Sequence, residues 1–339
     1  MTDSRIIGLD IARGSAIVGM FAAHVAPTQG EQLWDGRSSV LFATLAGVSL
    51  GLMTGGAQPG RQRLRNTVSV LLRGVFLVLL GVLLIALGTP IAVILPHYGL
   101  MFIVAAAFLY APRWLLALLV LAFAVLGPIA VDAITEQGNL LLTGVDAWTS
   151  FIAAEPFTWL TRYYPMPSWL AYVAVGLLLA RCDVRSASTQ AAMILGGGAA
   201  ALAGYTAGRA IGGDVFVEAH SSTTAELFGA GGVAVAVIGA LCWLSESAPR
   251  GFRAPALRIL TPLSASGSMP LTIYSVQLVV LALYLTGYPN IYDFDAWRSW
   301  TLLAALVLGS FAFALLWSRV SRQGPLEWLF ARITLRPRR

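Results

Sequence analysis

Residues 8–24 read GLDIARGSAIVGMFAAH. Extended to Ile6–Val25, this is an apolar run of the length that crosses a bilayer, about 20 residues. It carries Asp10, Arg13 and His24 inside it. The rest of the chain decides whether such a run lies in water or in lipid. Of 339 residues, 58% are hydrophobic and 11% are charged. A soluble domain usually carries roughly 25% charged residues. So little charge cannot cover a water-exposed surface of this size, so the main solvent is lipid. The N-terminal run could pass for a secretory signal, but Asp10 and Arg13 interrupt what would have to be an apolar h-region. It reads as a retained first helix.

Nine further apolar runs follow: Ser39–Met53, Val68–Ala86, Ile91–Tyr110, Trp114–Ile134, Pro167–Ala180, Thr189–Ile211, Ala225–Leu244, Pro270–Leu285 and Trp300–Trp317. They predict an all-α polytopic bundle of about ten transmembrane helices in a single domain over residues 1–339. All 22 cations are arginines. With the N-terminus inside, the cytoplasmic connections hold Arg61, Arg63, Arg65, Arg113, Arg181, Arg185, Arg250, Arg253 and Arg258, and the tail adds Arg319, Arg322, Arg332, Arg336, Arg338 and Arg339. The opposite connections hold only Arg37, Arg162, Arg209 and Arg298, among nine acidic residues. Arginine favours cytoplasmic loops, so both termini are expected in the cytoplasm. Clusters spaced between apolar runs are topology signals, and no nucleic-acid partner is expected. Residues 135–166 form the longest external loop, rich in aromatic residues. They read either as a segment lying on the outer face or as an aromatic belt. Residues 321–339, with GPLEWLFARITL at 324–335, read as a cytoplasmic amphipathic tail. Cys182 and Cys242 fall at helix ends near the cytoplasm, where neither a disulfide nor a metal site is expected.

Ionisable groups inside a membrane are costly, and each is a functional candidate. Arg13 and His24 are eleven residues apart. At about 100° per residue this returns both to one face, roughly 16 Å apart along the axis. Asp10, one turn below Arg13, can pair with it. A polar stripe thus runs the length of the first helix. Snorkelling explains Arg13 equally well on its own, and His24 alone could be an interfacial histidine. His97, in LPHYG after Pro96, reads as a mid-span histidine bonding a carbonyl freed by the proline. His220, Ser221, Ser222 and Thr223 open a helix from outside, where capping competes with a polar pocket near His24. Arg37 and Ser38 open the second run from the same side. Gln277 shares the ninth run with Tyr274 one turn away, either as interhelical glue or as a ligand of the pocket.

Arginine, ten residues, then histidine on a first transmembrane helix resembles the membrane-bound acyltransferase superfamily. That superfamily includes acyltransferase family 3 and heparan-α-glucosaminide N-acetyltransferase. GLDIARG, DGRSSVLFATLAGVSLGL and GPLEW more closely resemble the bacterial YeiB-like branch. The resemblance implies a multi-pass plasma-membrane enzyme. Acyl-CoA, acetyl-CoA included, would be a co-substrate used from the cytoplasm, with no bound cofactor. The acyl group would pass to an extracytoplasmic glycan, lipid or small molecule. It also implies that His24 is the general base or acyl carrier. Asp10 and Arg13 would hold the donor or the stripe. Arg37, Ser38, His97, His220, Ser222, Thr223 and Gln277 would line the acceptor pocket. In the lysosomal-type pattern the position of His24 is an asparagine and the catalytic histidine lies in the next loop, but Val25–Arg37 contains no histidine. Membrane lipid is an expected partner, and a homo-oligomer remains open. A secondary transporter is the rival reading, since it too uses intramembrane charges and glycine-rich helices such as the one holding Gly196–Gly198.

Overall fold

Lipid offers no water to bond exposed peptide groups, so each apolar run must satisfy its own N–H and C=O groups, and the helix does this within one segment. A computed structural model describes residues 5–60, 62–142, 156–321 and 323–334, and all regular structure among them is helical. The helices of seven or more described residues are α1 (Ile7–Val25), α2 (Arg37–Met53), α3 (Arg63–Ile85), α4 (Leu95–Ala105), α5 (Arg113–Leu142), α6 (Met166–Arg181), α7 (Ala187–Gly212), α8 (Thr224–Cys242), α9 (Arg250–Ile259), α10 (Thr261–Gly267), α11 (Pro270–Leu285), α12 (Trp300–Trp317) and α13 (Pro325–Ile333). Arg61, Arg322, Arg336, Arg338 and Arg339, used above for topology, lie outside the described residues, as do residues 143–155 of the expected external loop.

The outer helices are α3, α5, α7 and α12. Leu79, Leu83, Leu121, Ile129, Leu202 and Leu308 point out of the protein along them and are more than half exposed. Exposed apolar surface of this extent marks contact with an apolar phase. With α8, these make five helices among the described residues long and apolar enough to cross a membrane, and the pair α10–α11, bent by 88°, makes up to six if it is one broken span. Length and composition thus support five or six of the ten expected crossings. The physical reason lies in the interior. There α2, α4 and α6 have only 17, 11 and 16 residues, and α1 pairs ordinary length with three ionisable groups. A helix wrapped by other helices need not match lipid in thickness or polarity.

α1 is the central element, in contact with α2, α8, α10, α11 and α12. Two glycine pairs allow the backbones to meet. A Cβ on Gly14 would overlap the Leu263 carbonyl, and one on Gly267 the Asp10 carbonyl, which fixes α10 against the lower half of α1. Gly47 and Gly176 bring α2 and α6 together in the same way. Such small-residue contacts supply packing where lipid gives no hydrophobic drive between helices.

The arginine-rich connections gather at one end of the bundle. Buried Arg181 donates to the carbonyls of Gly51, Gly56 and Leu109 and to Thr54 Oγ1, so it closes the end of α2. Arg113 donates to the Arg181 carbonyl. The tail docks at this end. Ser69 of α3 donates to the Thr334 carbonyl, and Phe330 packs on Phe76 and Arg73. Glu327 accepts from the N–H groups of Leu271 (2.6 Å) and Thr272 (3.1 Å), thereby capping α11 from a distant part of the chain. GPLEW is thus a docking motif, and a side chain on Gly324 would overlap Glu327.

Candidate functional site

The lower end of the α1 stripe forms as its spacing predicts. Asp10 is 3% exposed. It accepts from Arg13 at 2.7 Å and from Arg5. The second amino group of Arg13 donates to Ser49 Oγ of α2 at 2.9 Å. The position of Ser49 one helix away left no mark in the sequence near Arg13. Gly8 N–H donates to Ser245 Oγ at 3.1 Å, tying the start of α1 to the end of α8.

The upper end is built around His24, in the last turn of α1. Arg298 Nε donates to the His24 carbonyl at 3.1 Å, and Ser299 N–H to the Val25 carbonyl at 3.0 Å. The end of α1 is therefore pinned to the start of α12. Desolvation holds the Arg298 guanidinium below its ordinary range, although Asp35 and Asp295 pull it back. His24 Nδ1 lies 3.1 Å from the Gln277 side-chain nitrogen of α11. Gln277 Oε1 is buried without a partner. A half-turn of this amide exchanges donor for acceptor, so Gln277 can hold either neutral tautomer of His24.

One turn before Gln277, Tyr274 accepts the Ile94 N–H at 3.2 Å and lies within electrostatic range of Tyr164. Tyr164 is the hub of the second cluster. Its ring meets His97 edge-on at 5.2 Å and His220 at 5.1 Å. Trp169 stacks on His220 at 5.8 Å and meets Tyr172 edge-on at 5.1 Å. All three histidines thus belong to one end of the bundle, connected through α11 and Tyr164.

His97 corrects a sequence expectation. α4 begins at Leu95, so Pro96 sits in the first turn, where its missing N–H breaks no helical hydrogen bond. No carbonyl is freed for His97. The backbone of Val93, Thr158 and Arg162 lies near its ring, yet neither buried ring nitrogen has a well-formed hydrogen bond.

His220 is held under strain. Tyr163, His220 and Ser222 have φ of +56°, +66° and +55°, the only non-glycine residues with positive φ among those described. Such backbone conformations cost free energy and gather at functional sites. His220 Nδ1 lies 2.8 Å from the Tyr163 carbonyl. A carbonyl only accepts, so Nδ1 donates and neutral His220 presents the lone pair on Nε2. Desolvation pushes His220 below the usual histidine range, against the pull of the Tyr163 carbonyl and Glu31.

Glu226, which the sequence reading passed over inside an apolar run, holds this turn. It is 1% exposed and accepts the N–H groups of His220 (3.2 Å) and Ser222 (3.0 Å). Thr223 Oγ1 accepts the Glu226 N–H at 3.0 Å. The signal was present as Thr-x-x-Glu, the spacing of a capping box. Thr223 is therefore a cap, and it also donates to the Phe216 carbonyl. Arg37 is committed to structure as well. It donates to Tyr205 OH at 3.1 Å, to the carbonyls of Gln32 and Asp35, and to Glu31, whose other oxygen accepts the Ala219 N–H. Ser38 is buried against Gly19 of α1.

What remains at this end is a set of buried polar atoms without partners. They are Trp34 Nε1, both nitrogens of His97, Trp169 Nε1, Tyr172 OH, Ser222 Oγ, Ser275 Oγ and Gln277 Oε1. Native interiors leave few such atoms, and each calls for an explanation. Two cavities, of about 320 and 350 Å³, lie elsewhere, and neither is lined by Arg13, His24, His97 or His220.

Comparison with known proteins gives two family matches. The profile described as heparan-alpha-glucosaminide N-acetyltransferase, catalytic, matches residues 5–209. The profile described as protein of unknown function (DUF418) matches residues 179–337. No curated protein matches the chain. The hydrogen bond between His24 and Gln277 joins the two matched regions.

Proposed function

The chain belongs to the heparan-alpha-glucosaminide N-acetyltransferase catalytic family, in its YeiB-like branch, and from that premise we propose that it is a membrane acyltransferase whose chemistry takes place at the histidine end of the bundle. The donor is acyl-CoA, reaching the protein from the arginine-rich, cytoplasmic end. The acceptor is a hydroxyl or amine of a glycan, lipid or small molecule on the other side. His24 takes the proton from the acceptor as its oxygen or nitrogen bonds to the thioester carbonyl carbon. The carbon–sulfur bond then breaks, and the thiol leaves with a proton. A histidine is the side chain suited to this exchange near neutral pH. Gln277 sets its tautomer, and His220, with its fixed Nε2 lone pair, faces the same acceptor.

The observation that carries this reading is the group of buried, unpartnered donors and acceptors around the three histidines. A polar acceptor would satisfy them. The Asp10–Arg13–Ser49 set, bonded within the protein through both Arg13 amino groups, serves to hold the stripe in place. The break between α10 and α11 is the feature that favours a transporter, because helix termini at such breaks bind ionic substrates. Here Glu327 already occupies the α11 N-terminus, which weighs against that reading.

Sealed proteoliposomes test the proposal. Labelled acetyl-CoA is supplied on the side of the arginine-rich end, with glucosamine and a bacterial lipid extract as probes on the other. Labelled acyl product on the far side is expected. Uptake of unmodified glucosamine without acylation would favour transport.

A further inference from the structure

Residues 286–299 join α11 to α12 and hold one helical turn, Phe294–Trp297. Tyr284 OH of α11 donates to the Trp297 carbonyl at 3.4 Å. Trp297 is buried, and its Nε1 donates to the Ile291 carbonyl at 2.8 Å. On the far side, Ser299 Oγ accepts the Leu302 N–H at 3.1 Å and caps α12. The connection is therefore fastened on both sides of Arg298, and Arg298 Nε reaches the His24 carbonyl from a fixed support.

Arg37 and Arg209 at this end each hold an acid, Glu31 and Asp214. Arg298 has no such ion pair among the described residues. Its guanidinium lies over the Phe294 ring at 4.5 Å and beside Trp297 at 5.7 Å. Asp35 and Asp295 act on it only from beyond ion-pair distance. Its charge therefore stays beside His24. The helices packed on α1 bring no rival to it. α10 and α12 carry no acid or base. α2 brings Arg37, taken up by Glu31, and α8 brings Glu226, taken up by two backbone N–H groups. α11 brings Tyr274 and the amide of Gln277. Among the described residues, Arg298 is the charged group in electrostatic range of the His24 ring.

We propose that Arg298 is a positioning residue for His24, which it holds by the backbone carbonyl and keeps as a free base by its charge. Like charges oppose each other, so a fixed cation disfavours a second positive charge on the neighbouring ring. A general base works only while it is unprotonated. Once His24 has taken the proton of the acceptor hydroxyl or amine, the same repulsion favours its delivery to the departing sulfur, which leaves as a thiol. Gln277 sets the tautomer from one side, and Arg298 sets the place and the charge state from the other. The purpose of this arrangement rests on the acyl-transfer reading; the coupling of Arg298 to His24 does not.

With three histidines in the chain, the coupling can be read directly. The full chain in detergent micelles is labelled with nitrogen-15 histidine, its three imidazoles are assigned with His24→Asn, His97→Asn and His220→Asn, and each is followed by NMR against pH. Arg298→Gln is expected to raise the proton affinity of His24 about tenfold, as removal of a near like charge implies. Arg298→Lys, which keeps the charge, stays close to the wild type. Arg209→Gln, an exposed arginine of the same end, leaves His24 unchanged. Arg298→Met, which keeps the stem over Phe294, replaces Arg298→Gln if that variant does not fold. An unchanged His24 titration in the folded neutral variant overturns the proposal. So does an equal rise in Arg298→Lys, which would trace the effect to altered packing. In the acetyl-CoA assay, the acid limb of kcat should move to higher pH in Arg298→Gln, with the KM for glucosamine unchanged. Absence of transfer in the wild type would remove the base role of His24, while the NMR titration would still decide the coupling.

Discussion

At the arginine-rich end, Asp10 takes two guanidinium donors, Arg13 spends its second amino group on Ser49, Arg181 serves four acceptors, and Glu327 accepts two N–H groups of α11. At the histidine end, Gln277 satisfies His24 with half of its amide, while His97, Trp34, Trp169, Tyr172, Ser222 and Ser275 keep buried polar atoms without partners. Both ends are rich in expensive groups. In the first most of those groups bond one another and hold helices together, with Arg181 Nε and Ser266 Oγ as buried atoms that bond nothing. In the second they are held in place by backbone strain and aromatic packing while their hydrogen-bonding capacity stays open. Polar groups that stabilise a protein are paired within it, and those that bind something are kept unpaired until it arrives. That difference in degree is the ground for the proposal that structure dominates one end and chemistry the other.

That comparison is broken most severely by Asp10→Ala. The substitution leaves the Arg13 guanidinium in the interior without its carboxylate, which costs about 3–5 kcal/mol for a broken buried pair. Thermal unfolding in detergent reads this as a large fall in midpoint. An unchanged midpoint would remove the structural role given to the lower stripe. Glu327→Ala uncaps α11 and costs about 1 kcal/mol, the usual value of a lost N-cap. Proteolysis of the tail should become faster at the same time, and a tail as resistant as in the wild type would refute the docking role of GPLEW. The smallest effect on stability is expected at the other end. Ser275→Ala removes a buried hydroxyl that bonds nothing, so the midpoint stays within about 0.5 kcal/mol of wild type or rises. A marked loss of stability would mean that this hydroxyl is paired in the folded protein and that the contrast between the ends is false.

Much of the arginine-rich end is legible in the sequence because its relations are local. Three residues separate Asp10 from Arg13, and eleven place His24 on the same face, so helical geometry alone orders the stripe. The cap at Thr223 is equally local. Glu226 was readable by the same rule, at three residues from Thr223, but an apolar window absorbed it. Pro96 was read as interrupting a span because hydropathy runs from Ile91 to Tyr110, whereas the helix starts at Leu95 and the proline opens it. The number of crossings is harder to read for a related reason: α2, α4 and α6 are apolar but short and largely wrapped by protein, and hydropathy does not separate protein from lipid. The meeting of Tyr164 with His97 and His220, the reach of Gln277 to His24 and the capping of α11 by Glu327 join distant segments, and no spacing encodes them.

The central claim is that the histidine end performs the chemistry and that His24 is its base. The most direct test is the initial rate of acyl transfer from acetyl-CoA by His24→Ala, at equal amounts of folded protein and with glucosamine or lipid extract as acceptor. Loss of a general base predicts a fall of about 10²–10⁴-fold, with the unfolding midpoint little changed. A rate equal to that of the wild type would contradict the claim.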